Sequence, residues 1–224
     1  QLLHSNSTWT AANAAAALDL ARLANELAPE AMRAEISIAL AQMLITEASR
    51  DVSIDARTRL QHRKEAADLL RVASSNSLHA KLLLATMLFE SNPDSSEAVE
   101  ICQSIVNDVM PIRKHLKKPL AQISSIAWSA RRESKSSRVG GGHASADTAS
   151  EALTRNDFFI GMNALLSSRE KLLEVAYTLL LKGYYAVGDF RKAVALAQGA
   201  DVGGIALSTD GLLTAAESSV DLGE

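Results

Sequence analysis

The chain has 224 residues, 47% of them hydrophobic and 22% charged, with a formal net charge of −3. This balance describes a folded chain and argues against both a disordered tail and a basic nucleic-acid coat. The apolar content is mostly Ala and Leu, good helix formers, with aromatics at only 4%, so the expected fold is all-α. No apolar run reaches the roughly 18 residues of a membrane span, so no transmembrane segment is expected.

The first segment with helical period is Ala17-Leu18-Asp19-Leu20-Ala21-Arg22-Leu23-Ala24, with Pro29 beyond it. Ala34 to Glu47 follows, apolar at Ile36, Leu40, Met43 and Leu44. Ala48 to Gln61 reads as an insertion that lengthens this hairpin. Ala66 to Ala73 and Leu78 to Glu90 form the next helical pair. Asn92-Pro93-Asp94-Ser95-Ser96-Glu97 breaks the chain and caps the helix that begins near Ala98. Pro119 is placed to open a further helix reaching about Arg131.

Residues 133–150 are Ser, Gly and charge without an apolar period, and are expected to be a flexible surface insertion. Glu151 to Leu166 and Arg169 to Val187 read as two more helices. Gly188 then tolerates the left-handed backbone that ends a helix, and Asp189 can cap the next one. That helix carries Ala193 to Ala200. After Gly203-Gly204 a weak helix spans about Thr209 to Val220, readable as a cap or as half of a repeat running past Glu224.

Four of these segments align: Ala17, Ala21 and Ala24; Ala66, Leu70 and Ala73; Ala98, Cys102 and Ile105; Ala193, Ala197 and Ala200. Each triplet falls at i, i+4 and i+7, on one helical face. With Pro29 after the first and Gly183-Tyr184-Tyr185 before the last, the chain resembles tetratricopeptide repeats and their Sel1-like relatives. The resemblance covers about two thirds of the chain, though the Trp and paired Gly of a strong first helix are mostly absent. The spacing between triplets is uneven, unlike an array of uniform repeats of about 34 residues.

The resemblance implies an irregular α-solenoid of stacked antiparallel helical hairpins, a single helical-repeat domain over residues 1–224, open to continuation at either end. It also implies a noncatalytic scaffold or complex subunit binding a peptide or helix of a partner protein through the solenoid surface. Tyr177, Tyr184, Tyr185 and Phe190 gather much of the aromatic surface in the last hairpin. Core packing accounts for them, but Tyr and Arg are also enriched where interfaces are strongest. Lys182, Tyr185 and Arg191 are therefore the expected partner contacts.

The most pointed charge feature is Arg113-Lys114-His115-Leu116-Lys117-Lys118. It reads either as a solvated helix junction or, through Arg113, Lys114, Lys117 and Lys118, as a contact for phosphates or an acidic partner. The second reading makes an RNA-contacting helical-repeat subunit the alternative function. A helical enzyme subunit with a dispersed site is the other alternative.

No catalytic, cofactor or metal motif supports an enzyme. Gly140-Gly141-Gly142 lacks the Lys-Ser/Thr of a phosphate loop. The five histidines are scattered singly, without zinc-ligand spacing, and no cofactor is expected. Cys102 is the lone cysteine, so a disulfide within the chain is excluded. A reducing compartment, cytoplasmic or organellar, is the expectation that follows, although the chain begins at Gln1 and a targeting segment would lie outside it.

Overall fold

The computed structural model describes residues 11–50, 55–136 and 146–223. Among them the chain is all-α: α1 Ala11–Leu27, α2 Glu30–Arg50, α3 Ala56–Ser74, α4 Leu78–Ser91, α5 Ser96–Ser136, α6 Ala146–Ala186, α7 Phe190–Val202 and α8 Thr209–Leu222. Two compact units divide inside α5, one ending at Ile101 and the other starting at Cys102. Within the units the packed pairs include α1 with α2, α2 with α3, α3 with α4, α6 with α7 and α7 with α8, which is the consecutive packing of a helical-repeat fold. No described helix is long and apolar enough to cross a membrane.

The first unit is built on small residues facing leucines. Ala41, Ala66, Ala73 and Ala80 sit in one cluster with Leu40, Leu44, Leu70 and Leu84. Alanine at these positions lets the helices approach closely while leucine fills the space between them. Asp55 caps α3 by accepting from the Thr58 amide at 2.6 Å, and Ser77 caps α4 from the Ala80 amide at 3.3 Å. The Asn92–Ser95 turn ends with Ser95 accepting from the Ala98 amide at 3.2 Å, which starts α5.

Two sequence boundaries are corrected. Pro119, expected to open a new helix, lies inside α5, as does Pro111. Each proline removes one intrahelical hydrogen bond, a local penalty of about 3 kcal/mol. Cys102, Ile105, Val109, Arg113 and Leu120 nevertheless form one continuous buried stripe across Pro111 and Pro119. Tertiary burial along that stripe outweighs the local break. Likewise α6 is continuous from Ala146 to Ala186, because nothing between Leu166 and Arg169 can stop a helix.

The expected loop 133–150 is helical at both of its ends. Residues 133–136 complete α5 and 146–150 begin α6. Its centre, including Gly140-Gly141-Gly142, lies outside the described residues.

Candidate interaction face on the last helix

The turn between α6 and α7 positions the C-terminal unit. Gly188 adopts φ +75°. The Asp189 amide donates to the Tyr184 carbonyl at 2.9 Å and the Gly188 amide to the Tyr185 carbonyl at 3.0 Å. These two bonds make a Schellman motif. Asp189 then accepts from the Lys192 amide at 3.3 Å and caps α7. A second Schellman turn closes α7 at Gly204, φ +60°, with the Ile205 amide on the Ala200 carbonyl at 2.9 Å.

That second turn meets the basic run. Arg113 is 6% exposed. Its guanidinium donates to the carbonyls of Gly203, at 2.8 Å, and Gly204, and contacts Glu170 at 3.2 Å. Lys117 reaches the same Glu170 oxygen at 3.2 Å. Burial pushes the Glu170 carboxyl upward, but hydrogen bonds from Lys117 and Arg113 outweigh it and hold the group below its ordinary range.

The run expected at a junction thus lies mid-helix. Arg113 is turned inward onto a helix end and Lys117 is ion-paired, while Lys114 and Lys118 are exposed. The four cations do not form one patch.

Ser208 starts α8, accepting from the Gly211 amide at 3.1 Å and sharing a 2.8 Å hydrogen bond with Thr178. The buried face of α8 is Gly211, Thr214 and Ser218. Their size matters: a Cβ on Gly211 would stand 3.1 Å from the Thr178 Oγ1. Thr214 and Ser218 satisfy their hydroxyls on carbonyls one turn back, at 2.9 and 2.8 Å. The helix therefore lies close against α6 on small residues.

Apart from the half-buried Leu222, its large apolar residues face the other way. Leu212, Leu213 and Val220 are 58%, 59% and 74% exposed, and Ala216 between them is exposed too. Leu212, Ala216 and Val220 fall at i, i+4 and i+8, so the four make one stripe opposite the buried face. This reverses the usual arrangement, in which a helix buries its large apolar residues.

An acidic edge runs beside the stripe. Asp210, Glu217 and Asp221 share one side of α8, and all three are exposed. The helix carries no Lys or Arg. Two residues expected to contact a partner meet this edge from α6. Lys182 pairs with Asp210 at 2.9 Å, and its hydrogen bond holds that carboxyl below its ordinary range. The charge of Asp221, then burial and Glu217, raise the Tyr185 phenol. The Tyr185 ring also leans on Phe190, with centroids 5.4 Å apart. Arg191 is exposed on α7.

The N-terminal unit has its own concavity, a groove of about 550 Å³ lined by Asn25, Arg33, Ser37, Lys64, Glu65 and Asp68, among others. Its carboxylates are engaged within the chain. Arg22 holds Glu65 through two 2.8 Å hydrogen bonds, and Arg71 holds Asp68 at 3.1 Å. Ser37 donates to Asn25 at 2.7 Å. The groove is lined chiefly by polar side chains; elsewhere in the unit Leu20, Leu23 and Leu27 of α1, at i, i+3 and i+7, are exposed as well.

Sequence reasoning missed Leu212, Leu213, Ala216 and Val220. The signal that marks them is the small-residue series Gly211, Thr214 and Ser218 at i, i+3 and i+7, which identifies the packed side and leaves the leucines outside. Comparison with protein-family models, curated proteins and solved structures finds no match.

Proposed function

We propose that the chain is a noncatalytic interaction scaffold, a tetratricopeptide-like or Sel1-like subunit of a larger assembly that holds a helix of a partner protein against α8. The reversed packing of α8 carries this reading: it buries Gly, Thr and Ser and leaves Leu212, Leu213 and Val220 in solvent. Contiguous exposed apolar surface on a folded chain marks an interaction site. Because α8 is already capped and packed on α6, docking a partner helix demands little further ordering.

The repeat-like triplets support the helical-repeat part of the reading. Ala66, Ala98 and Ala193 are fully buried, as the close-packing positions of a second repeat helix would be, whereas in the first triplet Ala17 and Ala21 are half-buried and Ala24 is exposed. RNA contact through the basic run has less support. Arg113 is consumed inside the chain and Lys117 neutralises Glu170.

The test is affinity capture from cell extract on the full chain and on Leu213→Glu, with retained proteins identified by mass spectrometry. One protein held stoichiometrically by the first and lost by the second, at unchanged thermal stability, is the expected result. The same proteins retained on both would remove α8 as the binding face.

A further inference from the structure

We infer that the face on α8 takes a basic amphipathic helix, one with an apolar seam flanked along one side by Lys or Arg. The inference rests on the reading of α8 as a docking face and names its partner's chemistry. The apolar stripe Leu212, Leu213, Ala216 and Val220 sets the seam. Leu213, Ala216 and Val220 follow the 3-4 spacing that receives the ridges of a second helix.

The acidic edge sets the charge. Asp210, Glu217 and Asp221 line one side of the stripe, and α8 offers no cation to balance them. From α6, Lys182 reaches this edge and engages Asp210. Glu217 and Asp221 instead face the Tyr185 phenol, which they destabilise in its ionised form. A helix seated on the stripe with its own cations toward that edge would meet the two carboxylates that Lys182 leaves uncompensated.

The same geometry argues against other occupants. A second copy placing α8 antiparallel on α8 brings acidic edges toward each other, and like charges at an interface oppose association. An anionic lipid surface or a nucleic acid is repelled for the same reason.

The probe is a displayed library of amphipathic helices with a fixed leucine seam and flanks randomised among Lys, Gln and Glu, selected on the full chain. Lys-rich helices should be enriched. Their affinity should vanish with Leu213→Glu and fall about tenfold or more with Glu217→Lys combined with Asp221→Lys. Raising the salt concentration should weaken them in wild type and not in the charge-reversed variant. All three substitutions sit at exposed positions, and thermal melts of the variants confirm that the fold is retained.

Helices that depend on Leu213 but carry Glu or Gln flanks would overturn the charge inference and leave the docking face standing. Helices indifferent to Leu213→Glu, or no enriched helix at all, would remove both. Self-association of the chain in sedimentation, abolished by Leu213→Glu, would identify a second copy as the occupant and also overturn the inference.

Discussion

Arg113 on α5 donates through Nη1 to the carbonyl of Gly203, 90 residues later, at 2.8 Å. The last carbonyls of a helix have no partner within it, and a cation there also complements the helix dipole. Arg113 supplies both at the end of α7, and its second arm takes the Gly204 carbonyl. The loop that launches α8 is thereby tied to α5.

Arg113→Leu should lower the stability of the C-terminal unit by about 1–3 kcal/mol, since the carbonyls of half-buried Gly203 and of Gly204 lose their donor and Glu170 loses a charged partner. Arg113→Lys should fall between, because one ammonium cannot reproduce a planar fork spanning two carbonyls. Urea unfolding followed by hydrogen exchange at Gly204 and Ile205 measures both effects. Unchanged protection in Arg113→Leu would show that the turn holds itself.

Arg113 also explains what the sequence hides. Its neighbours are Lys, His and Lys, so composition reads it as surface charge. Its register puts it with Cys102, Ile105 and Val109 on the buried stripe. The same stripe carries α5 past Pro111 and past Pro119, where the sequence alone suggests a new helix.

Where local signals act alone, the reading holds. The helix expected over Leu78–Glu90 is found as Leu78–Ser91, and Gly188 and Asp189 end one helix and cap the next. The exposed apolar stripe of α8 was illegible for the opposite reason. A Leu-Leu pair in a weak terminal helix suggests core, and only packing on α6 shows that the small residues took that place. Lys182 and Tyr185 are partner-contact candidates from residue type and position alone, and their interactions with Asp210 and Asp221 depend on tertiary placement.

The Arg22–Glu65 pair should make the N-terminal unit sensitive to acid. The Arg22 hydrogen bonds hold the Glu65 carboxyl below its ordinary range, and those of Arg71 do the same for Glu97. A carboxyl depressed in the folded state contributes stability that is full above its unfolded value, roughly 4.3, and is lost as pH falls through the lower folded value. Urea midpoints should therefore drop progressively below about pH 4.3, and Glu65→Gln should flatten part of that slope. The Arg22 side chain is 36% exposed, so solvent screening limits the Glu65 share to about 0.5–1 kcal/mol. An identical slope in Glu65→Gln would show that the pair contributes nothing.

Cys102 should be unreactive in the native state. It is fully buried, and loss of hydration pushes its thiol up to about 12, so almost no thiolate exists near neutral pH. Alkylation by iodoacetamide should then proceed only through unfolding, with a rate that rises with urea and follows the loss of helical signal. Rapid labelling of the folded chain without denaturant would mean that this part of α5 opens far more readily than its burial implies.

Gly211 provides a test of how closely α8 lies on α6. In a free helix Gly→Ala stabilises by about 0.5–1 kcal/mol. Here the new methyl group would stand 3.1 Å from the Thr178 Oγ1. Thr178 cannot easily yield, because its hydroxyl bonds both the Glu174 carbonyl at 2.9 Å and Ser208 at 2.8 Å. Gly211→Ala should therefore destabilise the C-terminal unit, by about 1–2 kcal/mol net. In a Thr178→Ala background the obstruction is gone and the helix preference returns, so the same substitution should become neutral or stabilising. That reversal of sign, read as a double-mutant cycle in urea unfolding, separates close packing from a general intolerance of the site. A stabilising Gly211→Ala in the wild-type background would mean that α8 stands farther from α6, and that its small residues do not define the buried side.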